Sequence, residues 1–150
     1  MGLYKSFKTS PQLEKEGVWR EFDGCRIRLA RAGGSNQKFN ALMEQVGKVH
    51  MRAINAGLLG NERAAPILAN AYAKHVITAW ESAVPDEDNP GTDKWVSGIE
   101  SPEGGELLPV TPENIKATLL ALPELFTALR TIAQDEQFYL QSLIDENAKN

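Results

Sequence analysis

Apolar residues in this chain follow three different spacings, and each predicts a different element. From Val18 to Arg31 apolar and polar side chains alternate on both sides of Asp23-Gly24. Alternation is the strand period, and an Asp-Gly pair between two such runs is a hairpin turn, read here as type I′ with positive φ at both central residues. That turn sets Phe22 opposite Cys25, Glu21 opposite Arg26, Arg20 opposite Ile27, Trp19 opposite Arg28 and Val18 opposite Leu29. Val18, Phe22, Cys25, Ile27 and Leu29 then share one face, with Arg20 at its rim. The other face sets Glu21 against Arg26 as an ion pair and Trp19 against Arg28 as a cation–π contact, each worth ~0.5–1 kcal/mol. An isolated hairpin is marginal, so the apolar face must rest on helices.

After Gly33-Gly34 the spacing changes to three and four. Ser35 or Asn36 caps a helix carrying Phe39, Leu42, Met43, Val46, Val49, His50, Ala53 and Ile54, which Gly57 and Gly60 end. Asn61 caps a second helix with the stripe Ile67, Leu68, Ala71, Tyr72, His75, Val76, Ala79 and Trp80, ended by Pro85. A short turn between the two makes them an antiparallel pair. Thr111-Pro112-Glu113 starts a third helix with a cap, a proline at the first position and an acid in the first turn. Pro123 separates it from a fourth, which runs through Leu125, Phe126, Leu129, Ile132, Ala133, Tyr139, Leu140, Leu143 and Ile144.

The third spacing is irregular. Residues 85–110 are rich in proline, glycine and acids and read as loop. Within the 94–110 segment, Trp95-Val96 with Ile99 and Leu107-Leu108 with Val110 can pair as a short second hairpin around Pro102 to Gly105, with Trp95 as its anchor. Residues 1–16 form a partly ordered arm, with one helical turn over Gln12 to Lys15 that Gly17 ends, and 145–150 a polar tail that frays. No repeat and no boundary interrupts the chain. The expected fold is α+β, mostly α: one domain, 1–150, with an N-terminal β-hairpin packed on about four helices.

Composition narrows the function more than the fold. With 42% hydrophobic and 24% charged residues the chain is of the globular kind. Its net charge of −4 opposes nucleic acid and anionic membrane as partners. The single cysteine, Cys25, permits no internal disulfide and fits a reducing compartment. No stretch is long and apolar enough for a membrane span.

Candidate chemistry is sparse. Cys25 has no histidine near it in sequence and reads as packing. His50 and His75 fall on the stripes of the paired helices and could approach each other, but lack a carboxylate or thiolate at helical spacing. Asp86, Asp88, Pro90 and Gly91 resemble a calcium loop, but Pro90 offers no ligand and Ser97 stands where glutamate is needed. Gly33-Gly34-Ser35 before a helix has no Walker spacing and reads as a hinge. Arg20, Arg26, Arg28 and Arg31 around Trp19 are the best local basic patch, diluted by Glu21 and Asp23. No catalytic, cofactor-binding or metal residue is therefore expected, and no enzyme activity. Tyr4, Phe7, Leu58, Leu59, Trp95, Leu107 and Leu108 are apolar residues at irregular places and are candidate partner contacts; they could equally cap the core. Trp19, Gly24, Gly33, Gly34, Phe39, Tyr72 and Trp80 are expected to hold the fold.

The run KSFKTSPQLEKEGVWREF and GCRIRLARAGGSNQKF, a helix pair ending in ITAWE, then LPVTPENI, LPELFTALRTIAQD and DENAKN, resembles a tail assembly chaperone of long-tailed bacteriophages. The resemblance covers nearly the whole chain in order, and the chain departs from it in the long segment Asp86 to Glu106. It implies a late phage protein of the host cytoplasm, absent from the mature virion. Such a protein binds the tape measure protein and keeps it soluble while tail tube subunits polymerise around it. The major tail tube protein and self-association are further partner options. Many members also have a longer frameshifted form, and Ala148-Lys149-Asn150 could be encoded with the slippery string A-AAA-AAC. The alternatives are a small phage regulator binding nucleic acid through the arginine hairpin, or a minor structural tail or connector protein.

Overall fold

In the computed structural model, which describes residues 2–56 and 61–149, the alternating stretch is an antiparallel hairpin of β1 (Val18–Phe22) and β2 (Cys25–Leu29). All five expected cross-strand pairs form, from Phe22 opposite Cys25 to Val18 opposite Leu29. The turn itself is not type I′. Gly24 has φ +78°, but among the described residues no non-glycine has a positive φ, so Asp23 stays in the ordinary region. The Gly24 carbonyl accepts the Ala83 N–H at 2.9 Å, so a third strand helps hold this turn.

That third strand is the main correction to the expected architecture. After α3 (Gln37–Asn55) comes α4 (Asn61–His75), which stops ten residues short of Pro85. Residues Ile77–Pro85 form β3, an inner strand of a sheet ordered β1-β2-β3-β4, with β4 at Asp93–Ser97. The cause lies in the register: Arg28 faces Ala79 but Leu29 faces Ile77, so Thr78 is the extra residue of a bulge. The bulge lets both Ile77 and Trp80 face the core, three residues apart, which mimics a helical stripe. Three β-branched residues in a row, Val76-Ile77-Thr78, favour the strand. The expected hairpin is thus present, but as half of a four-stranded sheet.

The second hairpin forms from Ile99–Glu100 (β5) and Leu107–Leu108 (β6), with Pro102 to Gly105 between them. Trp95 is not part of it; it lies in β4, opposite Ala83 of β3.

α5 (Pro112–Ala121) starts as its sequence requires, with Thr111 Oγ1 accepting the Asn114 N–H at 3.2 Å. Pro123 opens α6 (Pro123–Gln134), which ends ten residues before Ile144. Asp135 is extended and its carboxylate accepts the Gln137 N–H at 2.9 Å, capping a 3-10 turn over Glu136–Tyr139 before α7 (Gln141–Lys149). The expected single last helix is therefore two, and the segment expected as a fraying tail is described as helix to Lys149.

The core lies between the inner sheet face and the helices. Tyr72 is its centre, with Phe39 and Phe126 edge-on at centroid distances of 5.7 and 5.3 Å. Ile27, Leu29, Trp80, Ile99, Ile115, Leu119 and Leu129 fill the space around it. The architecture is α+β and mostly α.

The expected arm, 1–16, carries α1 (Leu3–Phe7) and α2 (Pro11–Glu16). Between them Thr9 bridges Leu140, the Ser10 N–H donates to Tyr139 O at 2.7 Å, and the Gln141 N–H donates to Lys8 O at 2.9 Å. Ser10 caps α2 by accepting the Leu13 N–H. Glu14, only 1% exposed, accepts from Arg31 Nη1 at 2.8 Å, from Thr9 Oγ1 at 2.9 Å and from the Ser35 N–H at 3.2 Å. The arm is thus clasped both to the chain's last third and to the turn at Gly33-Gly34.

Candidate functional site

A cleft of about 630 Å³ opens where the turn end of the β1–β2 hairpin, the β5–β6 hairpin and the α5–α6 corner meet. Phe22, Cys25, Trp80, Ile99, Leu108 and Leu125 give it an apolar wall. Ala117 and Ala121 present the exposed side of α5 to it, and Asp23 and Glu100 place carboxylates at its border. The volume is in the range of sites that hold a drug-sized ligand or a few anchoring side chains of a peptide.

Each element places its share for a local reason. The hairpin alternation puts Phe22 and Cys25 on the core side, and the cleft is where that face runs past its helical cover. Gly98 crosses from β4 to β5 with φ +154°, which lets Leu107 pack against its bare Cα. Ser82 Oγ donates to Gly98 O at 2.8 Å and holds that crossing.

Burial first, then the negative charges of Glu100 and Asp23, push the Cys25 thiol above its ordinary pKa. A thiol shifted that way is held as the neutral, weakly nucleophilic form. No group of three or more metal-ligating side chains gathers among the described residues. His50 and His75 do not approach each other. Asn36 Nδ2 donates to His75 O at 2.8 Å, so His75 sits beside the start of α3. His50 lies twelve residues along that helix from Lys38, about 18 Å at the helical rise.

The outer sheet face is a second surface. The Arg26 guanidinium lies 4.5 Å from the Trp19 ring centre and 4.9 Å from that of Trp95. Arg28 lies 5.5 Å from Trp19, as the cross-strand pairing requires. The ion pair expected between Glu21 and Arg26 forms instead with Glu81, at 2.6 Å, because β3 sets Glu81 directly opposite Arg26.

The candidate contact residues scatter over several places. Tyr4 and Phe7 are 78% and 64% exposed on α1, beside the exposed Leu3. Leu108 lines the cleft, while Leu107 is 38% exposed at its edge. Trp95 is on the outer sheet face, away from the cleft residues. Leu58 and Leu59 lie outside the described residues. Of the residues expected to hold the fold, Phe39, Tyr72 and Trp80 are buried and Gly24, Gly33 and Gly34 all have positive φ, whereas Trp19 is 39% exposed and stacks on arginine. Sequence reasoning missed Phe22, Cys25, Ile99, Ala117, Ala121 and Leu125 as one wall. They come from five elements, and only the termination of α5 at Pro123 hinted at a corner there.

The comparisons with known proteins define a class and then a family. The class is phage-derived: the family model described as YdaY prophage protein matches residues 34–150. That is most of the chain, and the protein belongs to the YdaY prophage protein family. The matched region begins at the Gly33-Gly34 hinge and takes in α3 and everything after it. No curated protein and no solved structure matches the chain.

Proposed function

We propose that this phage-derived protein is a tail assembly chaperone, which binds the tape measure protein of its phage in the host cytoplasm and keeps it soluble while tail tube subunits polymerise around it. The observation that carries the reading is the open apolar cleft, lined by Trp80, Ile99, Leu108 and Leu125 and bordered by Asp23 and Glu100. A helix laid into a groove docks through apolar side chains at three- and four-residue spacing, and a cleft of this size takes such anchors. The family is phage-derived and the sequence resembles such chaperones, which supports the choice of partner. A tape measure protein is a long helical chain that aggregates when its apolar stripe is bare.

The test is co-expression with the tape measure protein of the same phage. The reading expects the tape measure to move into the soluble fraction and to co-purify with this protein. A tape measure that stays insoluble in its presence, or this protein found as a component of purified virions, contradicts it.

The regulator reading keeps one observation in its favour: Trp19, Arg26 and Trp95 are stacked on an open sheet face. Glu81 neutralises Arg26 there. Charge reversal of Arg26 and Arg28 together should abolish nucleic-acid binding if that reading holds, and should leave tape measure solubility unchanged if the cleft is the site.

A further inference from the structure

A second cleft, of about 540 Å³, opens where the end of α4 meets the start of α3. Three lysines from three elements converge on it: Lys15 of α2, Lys38 of α3 and Lys74 of α4, with His75 beside them. None of its lining residues is an acid. Among the described residues, none of the three lysines forms an ion pair. The Glu14 carboxylate accepts from the N–H and the hydroxyl of Ser35 in the wall, and its charge is paired with Arg31.

The backbone corner that carries these residues is pinned, and its charges run against local electrostatics. Asn36, 7% exposed, pins the corner by donating to Arg31 O and His75 O, each at 2.8 Å. Lys74 and His75 complement the negative end of α4. Lys38 does the opposite, since it sits in the first turn of a 19-residue helix that has no acid there. The positive end of the helix dipole and two other ammonium groups all oppose it. Burial and then Lys38 and Lys74 hold the His75 imidazole below its ordinary pKa, as a site short of negative charge should.

We propose that this cleft binds a phosphate-bearing anion. A phosphate monoester carries nearly two negative charges and three strong acceptor oxygens, which suits a cleft lined by three lysines and no acid. A lone carboxylate would leave most of that charge uncompensated. Two sources can supply that charge: a small free phosphate in a single group, or a nucleic-acid backbone through two neighbouring phosphodiesters of one charge each. They differ in reach. Arg28 Nε donates to Thr78 Oγ1, in the cleft wall, at 2.9 Å, and Arg28 lies beside Trp19. A strand leaving the cleft would meet this cation and this ring, whereas a small phosphate would not. The proposal does not depend on the chaperone reading, because no residue of this cleft lines the apolar one.

The experiment is an NMR titration of the full chain with inorganic phosphate, with pyrophosphate and with a short single-stranded oligonucleotide. At least one probe should move the Lys38 amide and the His75 ring signals and raise the pKa of His75. Lys38→Gln with Lys74→Gln should weaken that binding at least about tenfold while leaving the unfolding midpoint in place, since both side chains are exposed. Arg28→Gln separates the sources: it leaves the two small phosphates unaffected and weakens only the oligonucleotide. Silence of both signals toward all three probes overturns the proposal. So does binding that survives the double lysine substitution, or tighter binding of an acidic peptide of matched charge.

Discussion

Glu14 shows at the scale of one residue why a polar arm is part of the fold. Burial alone would raise its pKa, but the hydrogen bonds from Arg31, Thr9 and the Ser35 backbone outweigh that and hold it below the ordinary carboxylate value. A group whose pKa is lowered on folding stabilises the native state above its unfolded pKa, and loses that contribution as pH falls through the folded value. Glu14→Gln should therefore cost about 3 kcal/mol near neutral pH, because it leaves Arg31 without its charge partner. The gap between wild type and variant should close as the pH falls below the usual carboxylate range. Urea unfolding of both proteins at neutral and acid pH measures it; a gap that is constant with pH would contradict the assignment. Trp80 is the apolar counterpart. At 4% exposure it fills the space between sheet and cleft, and Trp80→Ala should cost ~3–5 kcal/mol, read from the same unfolding curves. A midpoint unchanged within error would refute it.

At the scale of elements, two glycines separate backbone conformation from crowding. Gly17 and Gly24 both have positive φ, at +104° and +78°. A Cβ on Gly24 would meet nothing within 4 Å, but one on Gly17 would lie 2.8 Å from the Leu29 carbonyl carbon. Gly24→Ala should cost about 1 kcal/mol from conformation alone, and Gly17→Ala clearly more. Equal losses in thermal unfolding would contradict this account of how α2 joins β1. The β1–β2 register was legible in the sequence because strand alternation and a two-residue loop leave one solution. β3 was hidden, because the bulge at Thr78 gives a strand the spacing of a helix. Backbone chemical shifts over Ile77–Pro85 should be those of a strand, and helical shifts there would overturn the sheet. The clasp of Glu14 was not legible either, since its partners lie in other segments and its charge looks like any solvated acid's. The cleft wall was opaque for the same reason: each of its residues reads as core until the sheet, the second hairpin and the α5–α6 corner are assembled.

At the scale of the molecule, the two ends of the chain are joined and two unlike surfaces remain open. The Thr9–Leu140 bridge, with the Lys8–Gln141 and Ser10–Tyr139 hydrogen bonds, ties the arm to the last third of the fold. One surface is the basic cleft at the α3–α4 corner, and the other is the apolar cleft at the α5–α6 corner. The apolar cleft carries the proposed function, and α5 gives the means to close it without disturbing the core. Ala117 and Ala121 are exposed and face the cleft, and glutamate is a good helix former, so two glutamates one turn apart cost the helix only about 0.5 kcal/mol through their like charges. The most direct measurement is the binding of the tape measure protein to wild type and to the Ala117→Glu, Ala121→Glu double variant, with unfolding midpoints recorded for both. The variant is expected to unfold at a midpoint only slightly below that of wild type and to lose the tape measure, in binding and in solubility alike. A variant that holds the tape measure as well as wild type does would contradict it.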